Sequence, residues 1–171
     1  MEIWDLYDEK RNIIGEHVRG TEMPENSFHL VVHVWIKNSA GQYLMTQRSA
    51  DKPTFPLMWE CVGGSVVKGE DSLTGALREV HEEVGLAFAP EEGERLFTKI
   101  RGTVNGKRYN DIVDVWLFRH DSDVPLQNAA TDEVAQVRWM DRSQIDALRK
   151  ENRLVVSIKD LSYFFDEMEP L

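Results

Sequence analysis

The chain has 171 residues, 42% of them hydrophobic and 29% charged, with a net charge of −10 at pH 7. That size and balance fit one globular domain, and the acidic balance excludes long nucleic acid as a partner, because a phosphate backbone needs a basic face. The N-terminus MEIWDLYDEK carries no basic-then-apolar leader, no apolar run approaches a membrane span, and the one cysteine, Cys61, cannot close an internal disulfide, which together point to the cytoplasm and to no membrane contact.

Residues 3–7 (IWDLY) and 13–18 (IIGEHV) flank the polar DEKRN and are expected to form a hairpin. RGTEMPENS, residues 19–27, reads as a loop with Met23 as its one large apolar residue. It separates an N-terminal extension, residues 1–27, too small for its own core, from the main body, residues 28–171. FHLVVHVWIK (28–37) is rich in β-branched and aromatic residues and predicts a buried strand. After the turn Asn38-Ser39-Ala40-Gly41, Tyr43 to Arg48 predicts a second strand. SADKPTFPLMWE holds two prolines among large apolar residues and predicts an irregular, packed loop.

The segment from Asp71 to Val84 has no proline, and Leu73, Leu77, Val80 and Val84 recur at helical steps. That is the stripe of an amphipathic helix with its apolar side toward a core. Glu79, Glu82 and Glu83 cluster on another face, since residues three and four apart are neighbours on a helix. Like charges this close repel; three such residues alone read as a solvated acidic face, although oxygen ligands of this kind also suit a hard divalent cation, Mg²⁺ or Mn²⁺. Beyond the helix, 87–95 is an acidic loop, and Leu96–Val104 and Lys107–Phe118 flank Asn105-Gly106, a strong hairpin signal. Residues 120–133 form a polar loop, Val137–Met140 a short strand, and 142–150 and 158–167 two helices. Strands, helix, hairpin, strand and helix in that order fit an α/β sandwich.

Gly64, five residues, Glu70, seven residues, then Arg78-Glu79-Val80-His81-Glu82-Glu83-Val84-Gly85-Leu86 resembles the signature of the Nudix hydrolases, with every fixed position met. The resemblance implies an α/β/α sandwich with a mixed sheet, preceded here by the hairpin extension. It implies Glu79, Glu82, Glu83 and the backbone carbonyl of Gly63 as ligands of Mg²⁺ or Mn²⁺. It also implies Glu70 and Arg78 as a structural pair in which the arginine orients the carboxylates. Gly63 and Gly64 are expected to allow a tight turn and a close ligand approach, and Gly85 to end the helix.

HLVVHVWIKNSAGQYLMTQRSADKPTFPLMW is similar to the matching stretch of type 1 isopentenyl-diphosphate isomerases, which share that fold. The position of their catalytic cysteine falls on Gly64 and that of a histidine ligand on Val66. His29 matches another histidine ligand, and Asp111 falls where those enzymes have a catalytic glutamate. Cys61 lies off the cysteine position and reads as a buried small hydrophobe. His29 and His33 alternate with apolar residues, which favours neutral histidines packed beside a sheet over ligands. Phe55 and Trp59 read as packing residues, and Arg48, Lys52, Arg101 and Arg108 as phosphate contacts or solvated cations.

The expected activity is Mg²⁺-dependent hydrolysis of a diphosphate bond in a nucleoside diphosphate linked to another moiety, or in a related organic diphosphate. The expected partner is that small molecule alone, with a homodimer open. The alternatives are an isopentenyl-diphosphate isomerase and a non-catalytic ligand-binding module on the same fold. For the general base, Glu133 in the polar loop is preferred over Asp111 and over Glu82 or Glu83 acting alone, because a loop on a rigid scaffold can bring a carboxylate to bound substrate.

Overall fold

The computed structural model describes residues 1–104 and 107–155. Along the chain lie β1 (Ile3–Tyr7), β2 (Ile13–Val18), β3 (Phe28–Lys37), β4 (Tyr43–Arg48), β5 (Trp59–Glu60), β6 (Val62–Ser65), α1 (Ser72–Val84), β7 (Glu94–Val104), β8 (Lys107–Arg119), β9 (Val134–Met140) and α2 (Arg142–Lys150), with short 3-10 turns at Pro90–Glu92 and Leu126–Asn128. This is the order of strands and helices that the sequence implies. The Asn105-Gly106 turn and the helix expected at 158–167 lie outside the described residues. β7 and β9 begin earlier than expected, because Glu94 pairs with Leu117 and Val134 with Arg48. Such pairing draws polar residues into a strand. The irregular stretch ends in β5, and β6 contains the glycine pair itself, both too short to show a period of two.

The chain forms two compact units. The first comprises Met1–Val34, Gly63–Glu79 and Phe88–Leu117. In it β1 and β2 make an antiparallel hairpin with Ile3 opposite Val18, and β1 pairs on its other side with β3 through Leu6–His29 and Tyr7–Phe28. β6 and β8 also pair with β3, and β7 with β8. Leu6, Leu30, Val32, Val66, Ile112 and Val115 are buried there. Each such side chain contributes about 1.5–3 kcal/mol by leaving water.

The second unit comprises Trp35–Val62, Val80–Ala87 and the chain from Phe118. β4 is its centre, antiparallel to β9 (Leu44–Trp139, Thr46–Val137) and to β5 (Gln47–Trp59). A parallel bridge joins Trp59 to Leu154, so strand pairing of both senses occurs. Trp35, Leu44, Met45, Trp59, Phe118, Ile145 and Leu154 are fully buried. α2 starts with a capping box: Asp141 accepts from the Gln144 amide at 2.9 Å, and the Gln144 side chain accepts from the Asp141 amide at 2.9 Å. The loop between β4 and β5 is irregular as expected, with Phe55 (φ 52°) and Leu57 (φ 61°) in the left-handed region.

Helix α1 is capped by Asp71, whose carboxylate accepts from the Thr74 amide at 2.7 Å. That bond holds the Asp71 pKa below the ordinary carboxylate value. Its buried side differs from the expected stripe. Ser72, Gly75, Ala76, Val80 and Val84 are buried, while Leu73 and Leu77 are half-buried. Small residues face inward because the neighbouring chain is close. A β-carbon on Gly75 would come within 2.9 Å of Val66 Cγ2.

Candidate active site

Arg78 is the hub of the acidic segment. Its Nε donates to Glu70 Oε1 at 2.9 Å, Nη2 to Glu70 Oε2 at 3.1 Å and to the Ser65 carbonyl at 3.0 Å, and Nη1 to Glu79 Oε1 at 2.8 Å. Glu70 Oε2 also accepts from the Val67 amide at 3.3 Å. Burial works against the charge on Arg78, but its bonds to Glu70 and Glu79 outweigh that and hold its pKa above the ordinary arginine value. A bidentate arginine–carboxylate pair fixes direction as well as charge. The turn from β6 into α1 is thereby tied to the helix one residue before the first candidate ligand.

The two glycines before the helix serve close packing; neither has a positive φ. A β-carbon on Gly63 would lie 2.3 Å from the Val32 carbonyl oxygen, and one on Gly64 would lie 2.4 Å from Glu79 Oε1. At the other end Gly85 has φ 71° and takes the left-handed cap, as expected. Glu82 there offers one of the last carbonyls of the helix, which accepts from both the amide and the hydroxyl of Thr131 at 3.1 Å. That fastens the loop that carries Glu133 to the end of α1.

Glu79, Glu82 and Glu83 sit at i, i+3 and i+4 on α1. Glu79 and Glu82 are half-buried, and Glu83 is 7% exposed on the packed side. Among the described residues no three histidine, cysteine, aspartate or glutamate side chains are gathered tightly enough to hold a metal ion. Glu79 is turned to Arg78 instead, as mutually repelling carboxylates turn to a cation. In donor type the residues fit Mg²⁺ or Mn²⁺: carboxylate and carbonyl oxygens on a rigid helix and strand. The space beside the Glu79 carboxylate is kept clear by glycine.

Glu133 forms an ion pair with Lys52, and its carbonyl accepts from the Ser49 amide at 2.8 Å. Its side chain is 49% exposed. Arg48, proposed for phosphate, donates to Glu60 at 2.7 Å and to the Thr54 carbonyl at 3.0 Å. Asp111 is buried and held by Arg101, with Nε–Oδ1 at 2.8 Å and Nη2–Oδ2 at 2.5 Å. His29 is stacked on Trp4 at 4.1 Å between centroids, with Nδ1 3.2 Å from the Asn110 carbonyl. Burial lowers its pKa. The stack covers a ring that the sequence offered as a ligand. Burial also pushes His33 down to about 3. Cys61 is buried, as expected.

A NUDIX domain model matches residues 27–160. The chain belongs to the Nudix family. Over 167 residues it is 34% identical to an uncharacterised Nudix hydrolase of Listeria innocua, covering 96% of this chain and 91% of that protein. It is also 29% identical over 119 residues to an isopentenyl-diphosphate Delta-isomerase of Shigella boydii, covering 68% and 64% of the two chains. A Deinococcus radiodurans crystal structure, DR0079, superposes with a TM-score of 0.76 at 21% identity, covering 95% and 98% of the chains. The fold is the Nudix α/β fold with its large mixed sheet, and this Nudix protein is an enzyme of the hydrolase class. Among the described residues no helix is long and apolar enough to cross a membrane.

Proposed function

We propose that this Nudix hydrolase cleaves the diphosphate bond of a nucleoside diphosphate joined to a second moiety, or of a related organic diphosphate, with Mg²⁺ or Mn²⁺. The observation that carries this reading is Arg78 bound at once to Glu70, Glu79 and the Ser65 carbonyl, which fixes the direction of the Glu79 carboxylate beside Gly64. Glu79, Glu82, Glu83 and the Gly63 carbonyl would hold the cation. Bound Mg²⁺ supplies charge neutralisation on the phosphates and a lowered pKa for the attacking water. Arg78 orients Glu79, and Glu133 takes the proton of that water as general base. The products are a nucleoside monophosphate and a phosphorylated remainder, or orthophosphate and a monophosphate. The substrate is the sole partner in this reading, and the cytoplasm, with its reduced thiols, suits the buried Cys61.

The isomerase alternative is favoured by the Shigella relative and opposed by position 64, where the β-carbon of a cysteine would strike Glu79. The test is product formation, followed by ion-exchange chromatography, from nucleotides, nucleotide sugars, dinucleotides and isopentenyl diphosphate. Activity is expected with Mg²⁺ or Mn²⁺ and none in EDTA. Glu83→Gln should lose about 100-fold or more, since disturbing even an outer partner of a metal ligand costs 10–100-fold. Full activity in EDTA would overturn the reading.

A further inference from the structure

Outside the acidic helix, a buried charge network in the first unit runs from the tip of the N-terminal hairpin to the start of α1. Asp114, on β8, is fully buried. Its carboxylate accepts from Arg11 Nη1 at 2.8 Å and Nη2 at 2.5 Å and from Thr98 Oγ1 at 2.6 Å. It also takes the hydroxyl of Ser72, the first residue of α1, and that hydroxyl accepts from Trp116 Nε1 at 2.8 Å. The hairpin turn is built to deliver Arg11. Asp8 accepts from the amides of Lys10 and Asn12 at 2.9 Å each, and Arg11 itself has φ 65°. A non-glycine residue is held there only when its surroundings over-determine it.

Two further contacts reach the same place. The Lys68 amide donates to the Ile3 carbonyl at 2.8 Å, and the Gly69 amide to Asp5 Oδ2 at 2.8 Å. Lys68 also pairs with Glu16 across the hairpin. Both strands of the hairpin thus hold the residues immediately before Glu70, and its turn reaches Ser72 through Asp114.

We propose that the N-terminal hairpin clamps the start of the catalytic helix, with Arg11 as a positioning residue that acts through Asp114 and Ser72 on the carboxylates of α1. The proposal rests on the reading of Glu79, Glu82 and Glu83 as metal ligands. Glu79 lies seven residues beyond Ser72, about 10 Å along the axis at 1.5 Å per residue. A change in how the first turn is held moves the ligands, and misplacement by about 1 Å is enough to lose much of the rate.

The test uses the full chain with Arg11→Met, Arg11→Lys and, as a control, Arg19→Ala, which removes only the exposed pair with Glu2. Mn²⁺ alone is titrated by EPR, kcat and KM are measured at saturating metal, and the Trp116 indole N–H is followed by NMR as a reporter of its Ser72 bond. Arg11→Met should shift the Trp116 signal, raise the Mn²⁺ Kd about tenfold and lower kcat by a similar factor, the range seen when a partner behind a metal ligand is removed. KM should hardly change, Arg11→Lys should recover part of the loss, and Arg19→Ala should match the wild type. Should Arg11→Met fail to fold, Asp5→Asn, which weakens only the bond to the Gly69 amide, should shift the same readouts in the same direction. Folded Arg11→Met with wild-type Mn²⁺ affinity and kcat overturns the clamp, whatever its melting temperature. Wild-type protein that binds no Mn²⁺ overturns the metal-site reading first, and the clamp falls with it.

Discussion

Gly64 and Glu79 compete for one space: a β-carbon at position 64 would lie 2.4 Å from Oε1 of Glu79 and 2.6 Å from its Cδ. The carboxylate is the far end of a flexible side chain, so Gly64→Ala is expected to fold. To do so it must push Glu79 away from Arg78. The expected result is a weaker affinity for Mn²⁺ and a kcat lower by about 10–100-fold, with a melting temperature near wild type. Position 64 also carries no thiol to move a proton, so no enzyme-dependent deuterium uptake into isopentenyl diphosphate is expected in heavy water, and NMR reads it directly.

Arg78→Gln is expected to lower kcat and weaken metal binding while leaving KM nearly unchanged. The guanidinium is occupied by Glu70, Glu79 and Ser65, so it orients rather than clamps substrate. Removing it also leaves two half-buried carboxylates facing each other. Steady-state kinetics at fixed, saturating Mg²⁺ separates the two roles, and a rise in KM alone would make Arg78 a substrate contact.

Glu133→Gln should cost about 10²–10⁴-fold in kcat, the usual contribution of a general base, with near-normal Mg²⁺ affinity. Asp111→Asn should behave differently. Asp111 is tied to Arg101, whose side chain is 16% exposed. Neutralising it strands a mostly buried guanidinium, and removing one partner of such a pair destabilises by about 3–5 kcal/mol. Urea unfolding should therefore report Asp111→Asn, and turnover should report Glu133→Gln. Turnover lost only in a fully folded Asp111→Asn would transfer the base to Asp111.

Stability should fall in mild acid because of His33. Its pKa is about 3 in the folded chain against 6.5 for the free side chain. Between those values the unfolded chain binds the proton and the folded chain does not. The contribution is therefore complete above about pH 6.5 and is lost as pH falls toward 3, at up to about 1.4 kcal/mol per pH unit. His29, also lowered by burial, adds in the same direction. Urea midpoints at pH 5 and pH 7 measure the slope, and His33→Gln should flatten it.

The elements were legible wherever a pattern spans many residues. Strand 28–37 and helix 72–84 follow from composition and period. β5 and β6 escape because two to four residues cannot establish a period, and the chain there is shaped by its neighbours. The buried side of α1 was misjudged for a related reason. Ala76 and Gly75 carry little hydrophobic signal, yet they face inward because Val66 leaves no room for larger side chains. In the site, the pairing of Arg78 with Glu70 was implied by the resemblance to the Nudix signature. The network of Arg11, Asp114 and Ser72 could not be anticipated, since its members lie far apart in sequence and each alone looks like an ordinary polar residue.

The family match begins at residue 27, whereas the hydrogen bonds that lead into α1 begin at Ile3. A boundary drawn from the family model alone would discard Asp5, Arg11 and Glu16 as a dispensable leader. A fragment cut at that point would keep every recognisable motif of the family and leave the Asp114 carboxylate without its guanidinium. What the family model captures and what this chain needs in order to hold its shape are then different lengths of polypeptide.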